Sequence, residues 1–110
     1  MAKIKEVIEQ TGYTAVRLVW KVRKGQEKPP TYFTFQRVAR IPLVNADNEP
    51  KEETETYLVR LITKTDFEAL ADKTVGYLRA AGYSTSLGAE DYETETGYWI
   101  VPITAQIIKE

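Results

Sequence analysis

Hydrophobic positions near the N-terminus recur at helical spacing: Ile4, Val7 and Ile8 stand among charged residues, and Gly12 follows Thr11 as a stop. This spacing predicts a short amphipathic helix over 2–11. From Tyr13 to Val22 the period drops to two, with Val16, Leu18, Trp20 and Val22 on one face and Arg17 and Lys21 on the other, which predicts a strand. The polar stretch from Lys24 to Lys28 ends in Pro29-Pro30, which cannot donate to a ladder, so a loop is expected there. Tyr32, Phe33, Phe35, Val38 and Ile41 then suit a pleated surface over 31–41. Pro42 to Glu55 is weakly patterned and acidic, with too few apolar residues to order itself, and reads as a long, mobile excursion. Thr56 to Thr63 is apolar on both faces, as expected of a strand in the middle of a sheet.

Thr65-Asp66-Phe67-Glu68 has the spacing of a capping box. Phe67, Leu70, Ala71, Thr74, Val75 and Leu78 follow at helical spacing, and Gly82 provides a left-handed stop. A helix over about 66–81 is expected to pack one face on the sheet. Beyond it come a strand at Tyr83–Leu87, a polar acidic segment from Glu90 to Thr96, and Gly97 as a turn residue. Trp99, Val101, Ile103, Ala105 and Ile107 then alternate along a last antiparallel strand from Tyr98 to Ile108. The expected architecture is α+β, a mainly antiparallel sheet with one long helix packed on it, in the order α-β-β-β-α-β-β.

A chain of 110 residues with 43% hydrophobic content fills one core, so residues 1–110 form a single domain in this reading. With 15 Lys plus Arg against 16 Asp plus Glu, the net charge of −1 provides no global attraction to nucleic acid or to an anionic membrane. Cysteine and histidine are both absent, which removes disulfides, thiolate nucleophiles, Ser-His and Cys-His catalysis, and most transition-metal chemistry. Carboxylate, Lys and Tyr chemistry stays open on composition; no cofactor and no enzymatic activity are expected. The N-terminus lacks the apolar core of a secretory signal and no stretch is apolar enough to span a bilayer, so the expectation is a soluble protein made in the cytoplasm.

Two charge patterns remain. Arg17, Lys21, Arg23, Lys24, Lys28, Arg37 and Arg40 face a single acid, Glu27, whereas Asp47, Glu49, Glu52, Glu53 and Glu55 crowd the excursion that follows. Besides ordinary solvation, this asymmetry allows a basic edge to meet an acidic one between neighbouring copies. On that reading Lys21, Arg23, Lys24, Arg37, Arg40, Asp47, Glu49, Glu52, Glu53 and Glu55 are candidate interface residues. The interleaved Trp20, Tyr32, Phe33 and Phe35 could stack on nucleic acid but fit core strands better. The second pattern is the run Glu90, Asp91, Glu93, Glu95, which reads as a solvated hairpin, an electrostatic lining or a partner contact; its spacing is not that of a calcium loop.

From Thr56 to Ile108 the order of motifs resembles the tail-terminator, or tail-completion, proteins of siphophages and prophages. The resemblance rests on Thr56–Lys64, on Leu78-Arg-Ala-Ala-Gly-Tyr83 at a helix end, and on Tyr92-Glu-Thr-Glu-Thr-Gly-Tyr98 entering the last strand. Pro30-Thr-Tyr-Phe-Thr-Phe35 also looks like that family's first sheet strand, whereas Tyr13–Val22 is an apparent extra strand. The resemblance implies a homo-oligomeric ring, commonly a hexamer, made in the bacterial cytoplasm and incorporated into the virion tail. Its implied partners are the tail-tube protein and the head–tail connector, with no membrane. DNA would pass through without specific binding, and Glu90, Asp91, Glu93 and Glu95 would line the lumen. The rival expectation is a small non-catalytic binding module of a mobile element that takes a peptide or a ligand.

Overall fold

The computed structural model describes residues 3–19, 28–44 and 50–109; for 41–44, 50–52 and Lys109 it describes the backbone only. Two helices, α1 (Ile4–Glu9) and α2 (Glu68–Ala80), accompany six strands: β1 (Ala15–Arg17), β2 (Thr31–Val44), β3 (Pro50–Thr63), β4 (Ser84–Leu87), β5 (Asp91–Glu93) and β6 (Tyr98–Lys109). The sheet order is β1-β2-β3-β6-β4, with β5 also on β6. All pairs are antiparallel except β1 with β2. The α+β class with a mainly antiparallel sheet therefore holds. The element order does not, because β5 adds a strand inside the segment expected to be irregular, and the second helix is shorter than expected, at 13 residues.

β3 is central, as its two apolar faces predicted. Its residues Tyr57, Val59, Leu61 and Thr63 are buried beneath the helices, while Leu58, Arg60 and Ile62 on the opposite face are half-buried. Cross-strand partners share a face, so Phe33, Leu61 and Val101 form one buried row, and Phe35, Val59 and Ile103 the next. Ile4, Val7 and Ile8 of α1 and Ala71 and Leu78 of α2 close over these rows in one core cluster. Each fully buried aliphatic or aromatic side chain contributes about 1.5–3 kcal/mol.

The helix ends follow local chemistry, with one correction. The capping box does not form: Asp66 Oδ1 accepts the Glu68 N–H at 3.0 Å, and the Thr65 hydroxyl is engaged with Thr63. The C-terminus of α2 closes as expected on Gly82 at φ 98°, with the Tyr83 N–H bonded to the Leu78 carbonyl and the Gly82 N–H to that of Arg79, both at 3.0 Å.

Two expectations in the first half are also corrected. Among the described residues of the strand expected over 13–22, only Ala15–Arg17 are strand: the Leu18 N–H still bonds to the Phe35 carbonyl at 2.9 Å, but Leu18 adopts φ 67° and ends the strand, and Leu18 and Val19 are exposed. Its faces are reversed as well. The parallel register sets Ala15 against buried Phe33, so small Ala15 rather than Val16 faces the core. Trp20 and Val22 lie outside the described residues. The acidic excursion over 42–55 is largely strand: β2 runs to Val44 and β3 begins at Pro50, so the backbone groups of a region poor in apolar residues are satisfied by the hairpin ladder. The β3–β6 ladder ends at the pair Glu53–Lys109, and the hairpin continues beyond it. The molecule is accordingly elongated, 55 × 30 × 24 Å.

β4 and β5 are two halves of one edge strand along β6, separated at Gly88–Glu90 by one extra residue. The cause lies on β6. Pro102 has no N–H, and its carbonyl accepts the Gly88 N–H at 2.9 Å, so its missing donor also falls on this side, where the strand bulges. A Cβ on Gly88 would lie 2.9 Å from Pro102 Cγ. Gly88→Ala is therefore expected to cost about 1–3 kcal/mol, read as a lower urea midpoint at unchanged slope, while Ala at exposed Gly76, whose Cβ meets nothing within 4 Å, should not destabilise.

Candidate functional site

The basic and acidic residues of the first charge pattern meet at the start of the projecting hairpin. A bulge at Val38, where the β2–β3 register shifts between Arg37 and Ala39, brings them together. Strict alternation would put Arg37 and Arg40 on opposite faces. With one residue inserted, Arg37 lies opposite Tyr57 and Arg40 opposite Glu55, both on the helix-bearing face. Glu55 is 3% exposed there. Its carboxylate accepts the Tyr57 hydroxyl at 2.9 Å, with Arg40 Nε at 3.8 Å and Arg37 at 4.0 Å. Arg40 also donates to Glu53, the contact chiefly responsible for raising its pKa further. A buried carboxylate needs such donors, since desolvation without partners would force its protonation.

Four of the candidate interface residues, Arg37, Arg40, Glu53 and Glu55, are thus paired inside one chain. Glu52 belongs to β3 opposite Leu43. Lys21, Arg23, Lys24, Asp47 and Glu49 lie outside the described residues. Arg17 stands over the Phe35 ring at 5.2 Å. Sequence reading missed Tyr57, a core-strand residue whose hydroxyl reaches the buried acid two positions earlier; the Glu-x-Tyr spacing on one strand face was the available signal.

The second pattern, Glu90, Asp91, Glu93 and Glu95, lies exposed along the bulged edge and its turn. Asp91 and Glu93 share the face opposite the helices, Glu95 sits in the turn, and Glu90 leaves the bulge. Asp91 Oδ1 takes its neighbour Tyr92's N–H, and Glu93 Oε1 takes the Thr96 hydroxyl at 2.8 Å, so two of these acids build the hairpin itself. Gly97 at φ 78° donates its N–H to the Glu93 carbonyl and closes the turn.

On the helix-bearing side of the same edge, Tyr92 packs on Trp99 with ring centroids 4.6 Å apart, and Trp99 on Phe67 at 5.5 Å. Between α2 and the bulge lies an open groove of about 270 Å³. It is lined by Phe67, Ala71, Leu87, Gly88 and Val101 together with the acids Glu68, Asp72 and Glu90. Glu68 and Asp72, one helical turn apart beside Phe67 and Ala71, were readable from the sequence as an acidic flank of the apolar stripe. Among the described residues, no group of three Asp or Glu side chains has the geometry to hold a metal ion, and no helix is long and apolar enough to cross a membrane.

No family model and no curated protein matches the chain.

Two outcomes are expected. Tyr57→Phe, which removes a donor from a buried carboxylate, should lower stability by about 1–2 kcal/mol in urea titration. Glu53→Gln, at a solvent-screened pair, should shift the midpoint much less. The second concerns alkali. Burial first, then Tyr57 and Glu55, raise the pKa of Tyr83 above 10.0; burial first, then Tyr98 and Glu93, raise that of Tyr32. The fold favours the neutral phenols, so their contribution is complete below pH 10.0 and is lost as pH rises through the raised values. Urea midpoints should fall above about pH 10, and less steeply in Tyr83→Phe.

Proposed function

We propose that the chain is a structural subunit of a homo-oligomeric ring of the tail-terminator kind, which caps a phage or prophage tail tube and joins it to the head connector. The observation that carries this reading is the sequence of elements from β3 to the C-terminus. A central strand passes through a 13-residue helix closed by Ala81-Gly82-Tyr83 into a tight hairpin whose Thr-Gly turn returns along the sheet. That arrangement places a helix on one face and a bulged, acidic strand on the edge, the kind of wedge from which heterologous contacts can close a ring.

Within this reading Glu90, Asp91, Glu93 and Glu95 line the lumen, where like charge keeps DNA from adhering as it passes. The hairpin of β2 and β3, held at its start by Arg40, Glu53 and Glu55, meets a neighbouring subunit or the tail tube. A hexamer on assembly, association with the tail-tube and connector proteins, and a place in the virion tail complete the proposal. The groove beside α2 favours a second reading, a small binding module that takes a peptide.

Light scattering on the eluting protein, with negative-stain imaging at high concentration, separates the two. A species of about six 12.6 kDa chains with a central hole supports the ring. A monomer at every concentration, with no ring particles on mixing with a purified tail-tube protein, overturns it in favour of the binding module.

A further inference from the structure

We infer that the groove between α2 and the β4–β5 bulge is a docking site for an arginine side chain carried by a protein partner. The inference stands apart from the ring reading, since a monomeric binding module would use the same groove. Its volume of about 270 Å³ falls just below the range of roughly 300–1,000 Å³ that suits whole small-molecule ligands, and is suited to one long side chain. The apolar part of its lining, Phe67, Ala71, Leu87 and Val101, accepts an aliphatic stem. Glu68, Asp72 and Glu90 share that lining, and none of them forms an ion pair among the described residues.

The neighbouring cations are placed elsewhere. Lys64 lies over the Tyr98 ring at 4.9 Å, Lys73 over Tyr77 at 6.0 Å, and Arg79 donates to Thr85 at 3.1 Å. The positive end of α2 would oppose a cation, but the Asp66 carboxylate sits there and accepts the Glu68 N–H at 3.0 Å. Charge complementarity thus calls for a cation with a hydrocarbon stem. Phe67, backed by Trp99, favours the planar guanidinium, which stacks on rings and donates along its edge to carboxylates, over the compact ammonium of lysine. A nucleic-acid occupant is disfavoured by the same three carboxylates.

The test uses the full ¹⁵N-labelled chain titrated with Nα-acetyl-arginine N-methylamide, with the norleucine analogue as the uncharged control. Amide shifts confined to residues around Phe67, Asp72, Leu87 and Val101, saturating on the order of millimolar and absent with norleucine, are expected. Substituting Glu68→Gln, Asp72→Asn and Glu90→Gln together should weaken binding about tenfold, and higher salt should weaken it in the native chain. Glu90→Gln alone, on an exposed loop, gives a smaller loss and covers the case in which the triple variant does not fold. No localised shifts, equal binding of norleucine, or undiminished binding by the folded variants overturns the inference.

Discussion

The register of β3 between β2 and β6 is the constraint on which the rest of the molecule depends. Because side chains alternate with a period of two, fixing Leu61 against Phe33 and Val101 decides the face of every other residue in three strands. One face then carries Phe35, Val59 and Ile103 into contact with Leu78 of α2 and Ile8 of α1. A slip by one position would present Arg60 and Leu58 to the helices and remove the core. Both helices are short, and their stability comes from that buried face more than from their own propensity.

Two interruptions of this register generate the surface features. At Val38 an added residue turns Arg40 to the side of Arg37, so both guanidinium groups approach Glu55, and the hairpin leaves the sheet with its start held by charge and by the Tyr57 hydroxyl. At Gly88 an added residue answers the missing N–H of Pro102, opens the edge strand, and leaves space between it and α2. Each bulge also blunts a strand edge that would otherwise invite indiscriminate pairing. Directed association, whether with copies of the chain or with an arginine-bearing partner, is better served by edges broken at defined places than by a long flat one.

Much of this was legible in the residues. The apolar stripes of both helices, the glycine stop at Gly82, the turn at Gly97 and the central position of β3 follow from local periodicity and backbone preference, which act over a few neighbours. Less was legible where short-range signals competed. The Thr65-x-x-Glu68 spacing fits a capping box, yet Asp66 supplies the acceptor because Thr65 is drawn to Thr63. The period-two run from Tyr13 to Val22 fits a strand, yet among its described residues only Ala15–Arg17 are strand, which ends where Leu18 adopts a positive φ.

The sequence by itself determined the class of fold, a mainly antiparallel sheet with helices, and ruled out histidine and cysteine chemistry, because composition and periodicity are properties of the chain alone. Only the tertiary structure decided that the acidic stretch is half of a long hairpin and that Arg37, Arg40, Glu53 and Glu55 satisfy one another. It also decided that Glu68, Asp72 and Glu90 meet around one groove. The reason is physical: strand pairing and bulges join residues tens of positions apart, and the face on which a charge lands depends on a partner strand whose register no local pattern encodes.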